Sequence, residues 1–283
     1  KPSLKITKAD SKTMTALEGA VFEVYRDATL IGTYTTDEDG EIVLRNLKTG
    51  TYYVKEIAVD NGYIVDDTPQ QIEIYEDSGD TAELVFLNDQ KPYIRIMKID
   101  SNIFIPLSDA VFEITKTDGS YTKEFTTDKN GEINLEKLEP GSYVVRETKA
   151  PDGYVADDNQ RIVDIHGNDY ATFVFTNTIK PTLKVSKIDS DTGDFLPGAV
   201  VRIVNLSGSD VFEKTTDKNG EIFLTGLTEG IYTVQEIKAP EGYLLNSDIH
   251  YITAVAGENN ELVIENHRKP RLTIKKYDSL TGE

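Results

Sequence analysis

Cysteine does not occur anywhere in the 283 residues, so neither disulfides nor thiolate metal sites can hold this chain together. Histidine is nearly absent: His166, His250 and His267 are scattered at no metal-ligand spacing and read as solvated residues. No apolar run approaches the roughly 18 residues of a membrane span, and no signal peptide opens the chain at Lys1-Pro2-Ser3. Positive charge is in deficit, with 30 Lys and Arg against 49 Asp and Glu and a formal net charge of −19. Nucleic acid and anionic membrane surfaces would be repelled by that balance, so neither is an expected partner, and the acidity reads as solubility. Nucleophile–base pairings, Gly-rich phosphate loops and metal spacings are missing too, which argues against an enzyme and against any cofactor.

What the sequence has is a repeat. The openings "LKITKAD", "IRIMKID", "LKVSKID" and "LTIKKYD" place Lys8, Lys98, Lys187 and Lys276 at separations of 90, 89 and 89 residues. Each unit then carries a Thr-Thr-Asp-x-x-Gly-Glu-Ile stretch, beginning at Thr35, Thr126 and Thr215, and closes with an apolar strand ending in Asn88, Asn177 or Asn266. Lys-Pro follows each time, at Lys91-Pro92, Lys180-Pro181 and Lys269-Pro270. Proline restricts φ and marks the joints, and the linkers are too short to be flexible tethers, so a stiff row of beads is expected. The expected domains are residues 1–90, 91–179 and 180–268, with 269–283 the broken-off start of a fourth repeat; the chain reads as a fragment of something larger.

Period-2 runs such as Val21-Phe-Glu-Val-Tyr25 and Tyr143-Val-Val-Arg-Glu147 read as strands throughout, and Asp39-Gly40, Asn130-Gly131 and Asn219-Gly220 read as hairpin or turn signals. The fold class is all-β: three tandem immunoglobulin-like β-sandwiches, each of about seven strands in roughly 85 residues. A calcium reading of "DEDGE" and "DKNGE" is weaker than a turn, because the EF-hand spacing with its terminal Glu is missing.

Strand parity then singles out three polar residues per unit. Leu4, Ile6 and Lys8 share a face, as do Tyr52, Val54 and Glu56, and Leu84, Phe86 and Asn88. The same test turns Lys98, Glu147 and Asn177 inward, and Lys187, Glu236 and Asn266. Lys to Glu is 48, 49 and 49 residues, and Glu to Asn 32, 30 and 30. The ordinary reading is a hydrogen-bonded buried pair, or a lysine whose head snorkels out. A reactive one is open as well. Desolvation favours the neutral amine and the neutral carboxylic acid. A neutral amine is a nucleophile, and the acid can hydrogen-bond to the Asn carbonyl and carry a proton to departing ammonia, leaving an amide between Lys and Asn. Each site would turn over once.

The pattern Lys-x-Asp, Thr-Asp-x-x-Gly, Tyr-x-x-x-Glu-x-x-Ala-Pro-x-Gly-Tyr and a terminal-strand Asn resembles the Cna B-type domains, also called SpaA-like or prealbumin-like, of Gram-positive surface proteins and pilins. The resemblance runs from about Leu4 to Asn266. It implies a reverse immunoglobulin-like sandwich with a spontaneous isopeptide bond promoted by Glu: Lys8 to Asn88 with Glu56, Lys98 to Asn177 with Glu147, and Lys187 to Asn266 with Glu236. Lys276 has no such partners and is expected to stay a free amine. The first repeat departs from the pattern with "AVDNGY" in place of Ala-Pro-x-Gly-Tyr, and the second has Ser108-Asp109 where its neighbours have Glu18-Gly19 and Pro197-Gly198. No Leu-Pro-x-Thr-Gly or Tyr-Pro-Lys motif is present, which favours an adhesin stalk over a shaft pilin. The expected function is a force-bearing stalk on the cell wall, flanked by further repeats, with a host surface or matrix protein bound elsewhere in the parent. The alternative is a host-ligand module or pilin subunit that binds through loops such as "VYRDATLIG" or "NLSGSD".

Overall fold

A computed structural model describes residues 2–76, 81–277 and 279–282. Among them no residue is helical, and the strands form six sheets, two to each repeat. By backbone proximity the chain groups into two compact units, one of residues 1–98, 110–148 and 158–175, the other of the remainder, so the second repeat contributes to both.

In the first repeat the opening strand Ser3–Asp10 lies between two others. Glu41–Leu44 pairs with it antiparallel, and the closing strand Thr81–Asn88 pairs parallel. The facing sheet runs Thr29–Thr35, Val21–Arg26, the central strand Gly50–Ala58 and Gln70–Ile74. The third repeat copies this with opening strand Thr182–Asp189, central strand Gly230–Lys238 and closing strand Asn259–Asn266. In the second these are Tyr93–Asp100, Gly141–Lys149 and Tyr170–Ile179, and an added two-residue strand, Tyr154–Val155, pairs with the end of the last. The fold expected from the sequence is present three times, with an eighth strand in the second copy.

Period-2 burial builds each core. Leu4, Ile6, Phe22, Val24, Tyr52, Val54 and Phe86 close the first one, and Phe22 and Phe86 meet at 4.8 Å between ring centroids. Phe112 and Phe175 repeat that contact in the second, also at 4.8 Å. Aliphatic Val201 and Ile264 line the third.

The Asp-x-x-Gly turns do not make hairpins. Each leads from one sheet to the other, from Thr29–Thr35 to Glu41–Leu44 in the first repeat. Asp37 Oδ1 closes its turn by accepting the N–H groups of Asp39 and Glu41, and Asp128 and Asp217 do the same. The glycine packs on the opening strand: Lys187 N–H donates to Gly220 O at 2.9 Å. Gly220 has φ +70°, and a Cβ there would come within 2.6 Å of Leu196 N. Gly220→Ala is therefore expected to cost about 1–3 kcal/mol. Gly208→Ala, at φ +81° but with nothing within 4 Å, should show only the conformational part of that loss. Urea midpoints of the two variants check this.

Within the first unit, the segment after Asn88 is held by a turn of the second repeat. Asn168, at φ +65°, donates its N–H to Gln90 O at 2.8 Å and accepts Gln90 N–H on Oδ1 at 3.0 Å. Residues 271–277, which align with the opening strands, are exposed and lie in no sheet.

Candidate functional site

The parallel pairing of first and last strands places the candidate side chains. Lys8 lies opposite Phe86 and Asp10 opposite Asn88, so Lys8 and Asn88 are diagonal neighbours on the inner face of one sheet. Glu56 reaches them from the central strand of the other sheet. Lys187, Asn266 and Glu236 are arranged identically. All nine predicted residues are buried, none more than 5% exposed.

In the first repeat Lys8 Nζ donates to Asn88 Oδ1 and lies 3.4 Å from Glu56 Oε1, while Asn88 Nδ2 donates to Glu56 Oε2 at 2.8 Å. In the third, Lys187 Nζ lies 3.3 Å from Glu236 Oε1, and Asn266 Nδ2 donates to Glu236 Oε2 at 2.8 Å and to Leu244 O at 2.7 Å. In the second, Lys98 Nζ lies 3.0 Å from Glu147 Oε1 and 5.7 Å from the Phe112 ring centroid. Asn177 is buried on the neighbouring closing strand. Burial pushes the Lys8 and Lys187 amines below the ordinary lysine range, against the opposing pull of Glu56 and Glu236.

The amide turns its nitrogen, rather than its oxygen, toward the carboxyl group. Oε2 of the glutamate accepts from the N–H₂ end. One carboxyl thus spans both nitrogens that a condensation must handle: Oε1 faces the lysine amine and Oε2 the nitrogen that would leave. A backbone N–H from the following loop steadies Oε2, Asp66 at 3.0 Å in the first repeat and Asn246 at 2.7 Å in the third. Glu56 Oε1, Lys187 Nζ, Glu236 Oε1 and Asn266 Oδ1 are buried without a hydrogen-bond partner. The first three of these are held by the lysine–glutamate contacts at 3.3–3.4 Å, so Asn266 Oδ1 is the buried acceptor that needs an explanation.

Sequence reasoning passed over the aspartate of Lys-x-Asp. Asp10, Asp100 and Asp189 are buried, and each accepts the hydroxyl of the Gly-Tyr motif: Tyr63 at 3.1 Å, Tyr154 at 3.0 Å and Tyr243 at 2.7 Å. Its shared parity with the lysine was the available signal. Of the histidines, His166 and His267 are exposed, but His250 is not simply solvated: it shares the inner face of Ile249–Ala254 with Ile252 and Ala254, and its Nε2 is buried. Lys276 is exposed.

Asp189 supports a prediction about acid. Arg268 Nε, 2.6 Å away, and then Tyr243 hold its carboxyl well below the ordinary range of about 3.9. A depressed carboxyl stabilises the fold above its unfolded value, and that contribution is lost as pH falls through the folded value. Urea midpoints of the third repeat are therefore expected to drop as pH falls below about 4. The drop should be shallower in Arg268→Ala, which starts with less to lose.

Three stretches, residues 2–90, 92–179 and 181–268, match the SpaA prealbumin-like fold domain family. Serine-aspartate repeat-containing protein D of Staphylococcus aureus strain Newman is 27% identical over 263 residues, which covers 76% of this chain and 20% of that protein. The trypsin-resistant surface T6 protein of Streptococcus pyogenes is 38% identical over 68 residues, 24% of this chain and 13% of its own. The chain spans about a fifth, or less, of the length of these curated relatives. Among solved structures, the Bacillus anthracis TIE protein is 31% identical, with 94% of this chain and 50% of that one covered at a TM-score of 0.41. The shaft pilin SpaA from Lactobacillus rhamnosus GG is 17% identical, with 65% and 100% covered at a TM-score of 0.43.

Proposed function

This chain belongs to the SpaA prealbumin-like fold domain family, and from that premise we propose that it is a stalk segment of a Gram-positive cell-surface protein, with each repeat closed by its own Lys–Asn isopeptide bond. The observation that carries the reading is the sealed trio: amine, carboxyl and carboxamide side by side out of water. The neutral Lys187 amine attacks Cγ of Asn266. Glu236 takes the proton released from Nζ and passes that same proton to Nδ2, so the Cγ–Nδ2 bond breaks and ammonia leaves. A C–N bond forms as one breaks, and no oxidant or cofactor is consumed. Fixed orientation supplies the effective concentration that makes an ordinarily inert amide react.

The bond would join the first strand to the last across 80 residues in the first repeat. Pulling force would pass along the cross-link rather than through the strands between, and no reductant would open it. Surface display follows from the relatives, one of which is named as a trypsin-resistant surface protein. Ligand binding is the second reading, favoured by one groove of the first repeat lined by Tyr25, Tyr53, Lys55 and Pro69 beside the "VYRDATLIG" loop.

Intact mass of the denatured chain tests the proposal. Three ammonia molecules are expected to be missing from the sequence mass. A chain at full mass would leave three ordinary sandwiches with buried ion pairs.

A further inference from the structure

Outside the trios, Asp10, Asp100 and Asp189 are among the most deeply buried carboxyl groups, at 0%, 4% and 1% exposure. Each stands two residues past a reactive lysine on the same inner face, and Asp10 and Asp189 lie directly opposite Asn88 and Asn266 in the parallel register. Oδ1 of each closes the turn that follows, accepting the N–H groups of Lys12 and Thr13, of Asn102 and Ile103, or of Asp191 and Thr192 at 2.7–3.1 Å. A turn cap needs no more than that.

Oδ2 is the oxygen that turn closure leaves over, and in all three repeats it holds the tyrosine hydroxyl of the loop after the central strand. That loop arranges the reactants. Three residues beyond Tyr63 and Tyr243 it offers the backbone N–H that steadies the glutamate, from Asp66 and Asn246 respectively. One residue beyond Tyr243, Leu244 O takes the second amide hydrogen of Asn266. The Asp–Tyr bond therefore ties the glutamate's loop to the lysine's strand at the level of the asparagine. Gln90 Nε2 adds to it at 2.7 Å in the first repeat and Arg268 Nε at 2.6 Å in the third, each from the residue two past the asparagine.

We infer that Asp10–Tyr63 and Asp189–Tyr243 are positioning pairs for amide formation, setting its rate by fixing the loop that aims carboxyl and carboxamide at the lysine. The inference rests on the bond-forming reading above. It adds residues that touch none of the reacting atoms.

The test uses the full chain and two variants, Tyr243→Phe, which keeps the ring, and Asp189→Asn, which keeps the volume. Each is synthesised in a short cell-free pulse, and once folding is complete by circular dichroism, loss of ammonia is followed by intact mass and by recovery of the Lys187–Asn266 cross-linked peptide. Both variants are expected to join the third repeat about tenfold more slowly than the parent chain while the first two keep their rates, a shift of the size one lost hydrogen bond allows. A tyrosine with a merely structural role would lower the urea midpoint and leave the rate in folded chains unchanged, and that result overturns the inference. Hydrogen exchange at the Asn246 amide separates this failure from failure of the bond itself. If the parent chain loses no ammonia, the bond-forming reading falls. The positioning claim is then judged by exchange alone: about tenfold faster exchange in Tyr243→Phe keeps the loop clamp, and unchanged exchange removes it.

Discussion

Glu236→Ala is expected to leave Lys187 and Asn266 unjoined, so that the denatured chain lacks two ammonia molecules instead of three. The carboxyl group lies within 3.3 Å of the amine and 2.8 Å of the amide nitrogen. Without it the proton on Nζ has no acceptor and the departing nitrogen no donor. General acid–base groups typically contribute about 10²–10⁴ in rate, and losing that on an amide, already slow to react, stops the reaction on the time scale of protein production. Glu236→Gln is the stricter variant, since it fills the same space and cannot carry the proton. The effect is confined to one repeat, because each trio is closed within its own sandwich, and Glu56→Ala should do the same at Asn88. Loss of all three ammonia molecules from Glu236→Gln would show that the carboxyl group is a bystander.

Lys8→Met should bring the first repeat close to unfolding. Two losses combine. The cross-link disappears, and closing a loop of 80 residues restricts the unfolded chain by roughly 4–5 kcal/mol in the chain-entropy description. Glu56 also loses the buried nitrogen beside it, 3.4 Å from Oε1, and a buried polar group left without its partner typically costs about 1–3 kcal/mol. Together these rival the whole stability of an ordinary domain, about 5–15 kcal/mol. The double variant Lys8→Met/Glu56→Leu lacks the cross-link equally but buries no stranded carboxyl group, so it should be more stable than the single variant by the second amount. Urea unfolding followed on the first repeat separates the two contributions. Coincident curves for single and double variants would mean that Glu56 loses no buried partner when Lys8 is replaced.

Parity was enough to find the trio because a strand alternates its side chains strictly. Leu4, Ile6 and Lys8 could not be split between faces without exposing the core, so the inward lysine was legible before any contact was known. The roles of the aspartates were not. Asp10 has the same parity as Lys8, yet whether an inward carboxylate at a strand end meets water, a turn or a hydroxyl depends on which loop covers it. That loop, at Tyr63, comes 53 residues later. The Asp-x-x-Gly signals left hairpin or turn open: Gly40 signals positive φ correctly, but local sequence does not say whether the strands it joins pair with each other or with different sheets.

The sequence by itself determined the period, the all-β sandwich and the inward set of lysine, glutamate and asparagine, because these follow from alternation and duplication, which are local and repeated. Tertiary structure alone decided that the first and last strands pair in parallel, that the glutamate arrives from the opposite sheet with one oxygen for each nitrogen, and that a tyrosine from a distant loop fastens the assembly. Those facts rest on contacts between residues some 30 to 80 positions apart, whose partners are chosen by how two sheets close over a shared core rather than by any preference the residues carry alone.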